Sequence, residues 1–190
     1  MTHSRRDVLA ATAGLATLGV ASGCQGALGR SEPAFLSYKG IDVRWVVDRT
    51  QGYVAELCWL WSNGRSRVVG WEPATYPDVV RSAADVSVSE DTARRLRERF
   101  EGVTFVLGFS GVDATDLSPL ESTLGQVATS REGFNRVQFT DRVRVARTDD
   151  GVRVRGVDPG GHATLDGWDV EIGTKELAEQ FPDSGVPEPV

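Results

Sequence analysis

Asn63-Gly64, set between the apolar run Tyr53–Trp61 and the segment Val68–Trp71, constrains the fold of this chain more than any other feature. The dipeptide can supply the two positive-φ positions of a type I′ turn, so it predicts a β-hairpin. Tyr53–Trp61 is almost continuously apolar, as expected of a strand covered on both faces. Upstream, Ile41, Val43, Trp45 and Val47 alternate with Asp42, Arg44, Val46 and Asp48, the period of a half-buried strand. Phe35–Asp48, Tyr53–Ser62 and Arg65–Trp71 therefore read as a three-stranded meander. A two-residue turn pairs Ser62 with Arg65, Trp61 with Ser66 and Trp59 with Val68. That register puts Leu57, Trp59, Trp61 and Val68 on one face, and Cys58, Leu60 and Val69 on the other.

Further along, Ala84–Val88 reads as a strand, and Ser89 with Glu90 and Asp91 opens a helix whose apolar stripe is Ala93, Leu96 and Phe100. Arg94, Arg95, Arg97 and Arg99 take its solvated face. Val103–Phe109 is a strong strand, and Ser118-Pro119-Leu120-Glu121 predicts a short helix to Leu124. Val137–Val157 reads as a second hairpin around an Asp150-Gly151 turn, with Val143, Val145, Val152 and Val154 on one face. A last helix is expected from Thr174 to about Phe181, with Leu177 and Phe181 inward. The fold class is β-rich α+β: an antiparallel sheet or β-sandwich built from hairpins, with two or three short peripheral helices. About 150 residues can bury roughly two thirds of their unfolded surface, enough for one core without disulfides or metal.

Candidate sites follow from residue chemistry. Arg142, Arg144, Arg153 and Arg155 share the outer face of the second hairpin, the densest cationic surface of an acidic chain. Guanidiniums in such a group can hold a phosphate, sulfate or uronate bidentately, or can lie over apolar surface and pair with neighbouring acids. Trp59 and Trp61, two apart on one strand face, could offer a sugar-stacking platform or fill a core. Cys58, within an apolar strand, reads as a buried inert thiol. Asp158, His162, Asp166 and Asp169 lie close together in a Gly-rich stretch without the spacing of a known cation loop. After residue 24 the chain has one histidine, His162, which with a buried cysteine cannot assemble a zinc or copper set, so no metal or other cofactor is expected. Ser110, with Asp113 or Asp116 and His162, follows the chain order of α/β-hydrolases. Gly108-Phe109-Ser110-Gly111-Val112, however, lacks the second glycine of the nucleophile elbow.

Residues 1–24 say where such a domain would work. Ser4-Arg5-Arg6 precedes an uncharged run from Val8 to Val20, too short to span a bilayer of ~30 Å, and Ala21-Ser22-Gly23 lead into Cys24. Ser4, Arg5, Arg6 and Leu9 resemble the twin-arginine export signal, and the small residues before Cys24 resemble a lipobox. The resemblance implies export of a folded protein, removal of residues 1–23 and lipidation of Cys24, which two acyl chains would hold at the outer face of the membrane. Residues 24–32 then form a tether, 33–183 a single globular domain and 184–190 a flexible tail.

Loss of Arg5, Arg6 and Asp7 from the 21 basic and 27 acidic residues leaves a net charge of −7, against nucleic acid as a partner. Of the basic residues, only Lys39 and Lys175 are lysine, and this skew with the acidic balance resembles exported proteins of halophilic archaea. The expected function is that of a membrane-anchored, noncatalytic binding domain for an anionic ligand or a protein partner at the cell surface. The alternatives are a structural envelope component without a ligand, and a serine hydrolase using Ser110, Asp113 and His162.

Overall fold

A computed structural model describes residues 30–189 apart from 48, 50, 116, 118–121 and 150. Arg5, Arg6, Cys24 and most of the tether lie outside the described residues. So do Asp116, the first turn of the helix expected from Ser118, and Asp150.

The architecture follows from one long strand. β1 (Ser31–Val47) is buried along most of its length and is paired on both sides. On one side it meets β6 (Gly102–Gly111), with Ile41 opposite Phe105. On the other it is shared: its first residues pair with β8 (Arg142–Thr148), and Tyr38–Val47 pair with β2 (Gln51–Ser62). Beyond β2 come β3 (Arg67–Pro73) and, parallel to it, β10 (Asp169–Lys175). Beyond β6 comes β7 (Gly125–Thr129), and β8 also pairs β9 (Gly151–Asp158). The sheet is mostly antiparallel and open, and β4 (Val80–Ser82) with β5 (Asp85–Val86) makes a small second one.

Three short helices complete the fold. In α1 (Glu90–Arg99) the Ser89 hydroxyl accepts from Thr92 N at 3.0 Å, and Ala93, Leu96 and Phe100 are buried, as expected. Arg99 departs from its expected solvated position. Only 8% exposed, it donates through Nε to the Pro187 carbonyl at 2.7 Å and lies over the rings of Tyr76 and Phe100. α2 (Arg131–Arg136) and β7 have no counterpart among the sequence expectations. α3 (Leu177–Gln180) is shorter than predicted, because Thr174 and Lys175 extend β10 along β3 instead.

Both hairpins differ in register from the sequence expectation, each for a local reason. Asn63 does not enter a two-residue turn. Its side-chain Oδ1 accepts from the N–H groups of Arg65, Ser66 and Arg67, each at 3.0 Å, and so stabilises a longer loop. Ser62 consequently faces Val68 and Trp59 faces Trp71, a shift of three residues. An odd shift exchanges the faces of β3, so Val69 and Trp71 join Trp59 and Trp61 while Val68 enters the core. Gly64 keeps its positive φ of 71°, and a Cβ there would come within 2.5 Å of the Phe35 ring. In the second hairpin Thr148 pairs Gly151, so the turn falls one residue earlier than Asp150-Gly151. Ala146 therefore faces Arg153, where an Asp150-Gly151 turn would set Arg155, and a bulge between Arg144 and Val145 opposes Arg144 to Gly156 in place of Val157.

Segments expected to be loose are held. Ser31 and Glu32 of the tether pair with Ala146 and Val145. Ser184, expected in a flexible tail, is buried and accepts from Trp45 Nε1 through its carbonyl at 2.9 Å. Trp45 also stacks on Tyr53 and meets Phe181 edge-on, which closes that end of the core.

The least expected core residue is Lys39, fully buried in the middle of β1. Its ammonium donates to the carbonyls of Val86 at 2.6 Å and Val137 at 2.7 Å and to Gln138 Oε1 at 3.2 Å, with the Phe134 ring 4.4 Å away. Burial pulls its pKa down to about 7, against the attraction of Asp141 and Asp85. The unfolded chain, with an ordinary lysine near 10.5, binds more protons above pH 7, so stability rises with pH there. Burial also pushes the Cys58 thiol up to about 12, and once unfolded thiols ionise near 9 this opposes the lysine contribution and flattens the slope. We expect the unfolding free energy to increase by about 2 kcal/mol between pH 7 and 9, read from urea denaturation, and this rise to vanish in Lys39→Met. Lys39→Ala, which also opens a cavity and strands three acceptors, is expected to lose about 3–5 kcal/mol in the same measurement.

Candidate anion pocket and tryptophan groove

Two concavities gather the residues that the sequence singled out. The first lies where β7 and β9, not paired with each other, diverge. Their backbones touch at one end, where a Cβ on Gly151 would sit 2.7 Å from the Gln126 carbonyl. Toward Thr129 and Gly156 they part around a pocket of about 420 Å³, closed on a third side by α2. Its lining is mixed: Leu107, Val127, Val137, Val152 and Val154 contribute apolar surface, and Arg136, Arg153 and Arg155, all exposed, contribute polar surface.

The four expected arginines therefore divide into two pairs. Arg153 and Arg155 line the pocket, joined by Arg136 from α2, which the sequence reading did not include. Arg142 and Arg144, on β8, do not line it. Arg144 donates to the hydroxyl and carbonyl of Ser31 at 3.3 Å each, and its neighbour Arg147 pairs with Glu32 at 3.1 Å. Among the described residues, none of the carboxylates pairs with Arg136, Arg153 or Arg155. Three exposed arginines that contribute to the lining of one partly apolar cavity offer paired N–H donors for an anionic group, with valine and leucine beside them for an uncharged part.

The second concavity, of about 650 Å³, runs over the outer face of β2, β3 and β10. Trp59 and Trp61 line it as a pair, and Trp71, brought across by the shifted register, stands edge-on to Trp59 with ring centroids 4.8 Å apart. Gly70 and Gly173 floor it; a Cβ on Gly70 would collide with the Trp59 carbonyl. Asn63, Arg67, Glu171 and Lys175 form the rim, with Arg67 bridged to Asp169 at 3.3 Å and Glu171 at 3.4 Å. Lys175 Nζ sits 3.7 Å from the Trp71 ring centre.

The remaining candidates are placed apart from both. Cys58 is buried. Ser110 is buried too; its hydroxyl donates to Ser37 at 3.1 Å and accepts from Thr123 N at 3.1 Å. His162 donates through Nε2 to the Gly64 carbonyl at 2.6 Å and stacks on Phe35, and Asp113 is exposed. Hydrogen bonds among the described residues do not link Ser110, Asp113 and His162 into a relay. Asp158, His162, Asp166 and Asp169 do not converge, and no cluster among the described residues could hold a metal ion. No protein-family model, curated protein or solved structure matches the chain.

Proposed function

We propose that this chain is an exported, lipid-anchored, noncatalytic binding domain whose arginine pocket takes an anionic ligand with an apolar body. The observation that carries the binding reading is that Arg136, Arg153 and Arg155 all contribute to the lining of one pocket that Leu107, Val127, Val152 and Val154 also line, with no described carboxylate paired to them. Positive side chains gathered on a net-negative protein need a reason.

The ligand would place a carboxylate, phosphate or sulfate among the guanidiniums and a short hydrocarbon segment against Val127, Val152 and Val154. A pocket of this kind binds and releases; it needs no bond-making group. Location rests on the leader, where Arg5, Arg6 and the small residues before Cys24 support export and attachment through two acyl chains.

Titration calorimetry of the full-length protein with straight-chain monocarboxylates, and with inorganic phosphate as the compact comparison, checks the pocket. Saturable binding that strengthens over the first added methylenes, and weakens at least tenfold in Arg153→Gln/Arg155→Gln, is expected; the absence of saturable binding to any of these anions overturns the reading. Membrane attachment is checked separately, in the producing cells. Cys24→Ala is expected to move the protein from the membrane fraction to the soluble exported fraction, and mass spectrometry of the wild type to find a diacylglyceryl group on Cys24. An intact Met1 on cytoplasmic protein overturns the export reading.

A further inference from the structure

We infer that the tryptophan groove is a second, separate site, and that it takes an acidic saccharide: one ring against Trp59, with the acid group held by Lys175. Three features of the groove bear on its occupant. Aromatic side chains and exposed glycine backbone make its bottom, so a flat body with an apolar face fits there. The rim mixes donors, on Asn63, Arg67 and Lys175, with an acceptor, on Glu171. A lipid tail uses neither, whereas a ring bearing hydroxyls uses both, since each hydroxyl donates and accepts. Finally, the indole N–H groups of Trp61 and Trp71 are buried without a partner, and Trp61 is only 3% exposed. Such unpartnered donors are unfavourable, and a small rotation of either indole would let an oxygen-rich occupant accept from them.

The preference for an acidic ring comes from charge. Arg67 is already engaged by Asp169 and Glu171, whereas Lys175 has no carboxylate partner among the described residues and rests on the face of Trp71. Its long stem lets the ammonium turn to a ligand carboxylate at the rim without leaving the indole edge. Because Lys175 covers Trp71, the open stacking surface falls to Trp59, which is only partly buried.

The test is calorimetric titration of the full-length protein with trigalacturonate and, as the neutral comparison, maltotriose. Saturable binding of the uronate is expected, at least fivefold tighter than the neutral sugar. Trp59→Ala should weaken it at least tenfold and Trp59→Phe much less, with near-UV circular dichroism confirming that both variants fold. Lys175→Gln should remove the preference for the acidic sugar and leave maltotriose unaffected. Arg153→Gln/Arg155→Gln should bind both sugars as the wild type does, which separates this groove from the anion pocket. No saturable binding of the uronate, equal affinity for the two sugars, or undiminished binding in Trp59→Ala overturns the inference.

Discussion

The buried ammonium of Lys39 is the constraint on which the rest of the structure depends. It stands on the strand that every major part of the sheet uses, and its three acceptors come from two other segments, β5 and the stretch that follows α2. A charge taken out of water is tolerated only where it is fully hydrogen-bonded, so the three segments must reach it together. Gln138 reinforces the same joint, because its side-chain amide donates to the Val86 and Asn135 carbonyls while its oxygen receives Lys39 and Val86 N. Asn135 binds Val88 on both its N–H and carbonyl, so α2 is tied to the entry of α1 as well. Fixing α2 in this way fixes Arg136, and with it the third wall of the anion pocket.

Irregularities in strand pairing do the remaining work of placing side chains. The extra residue at Leu57 switches the core-facing set of β2 from Tyr53 and Ala55 to Cys58 and Leu60. Trp59 and Trp61 thereby line the groove, Trp59 partly exposed and Trp61 buried. The three acceptances by Asn63 Oδ1 then set the odd register that brings Trp71 to their side. One polar side chain in a loop thus decides which face of β3 carries its aromatic residue.

Local chemistry was legible in the sequence where it was sufficient by itself. Ser89 with its two following acids marked the start of α1, the alternation through Trp45 marked β1, and the valines of the second hairpin marked its inner face. The elements that were misread depend on distant partners. Thr174 and Lys175 carry a weak helical pattern but follow β3 in parallel, a contact between residues about a hundred apart that no periodicity encodes. β7 has half-buried alternation too short to stand out, and it exists because β6 offers it an edge. The functional candidates divide in the same way. Trp59, Trp61, Arg153 and Arg155 were visible as clusters within single hairpins. Arg136, Trp71 and Lys175 became neighbours only through α2, the shifted β3 register and β10, so their only sequence signal was their type.

Net charge bears on how the proposed anion pocket could operate. A protein carrying −6 repels an approaching anion at distances where its charges are felt together. Within the pocket the nearest charges are the arginines that line it, and an anion in contact with them feels them more strongly than it feels the distant carboxylates. Affinity must therefore be short-ranged, set by contact geometry and burial of the ligand's hydrocarbon part rather than by attraction from afar. Added salt screens the distant repulsion, with a Debye length of ~10 Å at 0.1 M, more completely than it screens contacts at hydrogen-bond distance. Association with such a site is then favoured as salt is added. The charge balance of the surface and the chemistry of the pocket are thus compatible because they act over different distances.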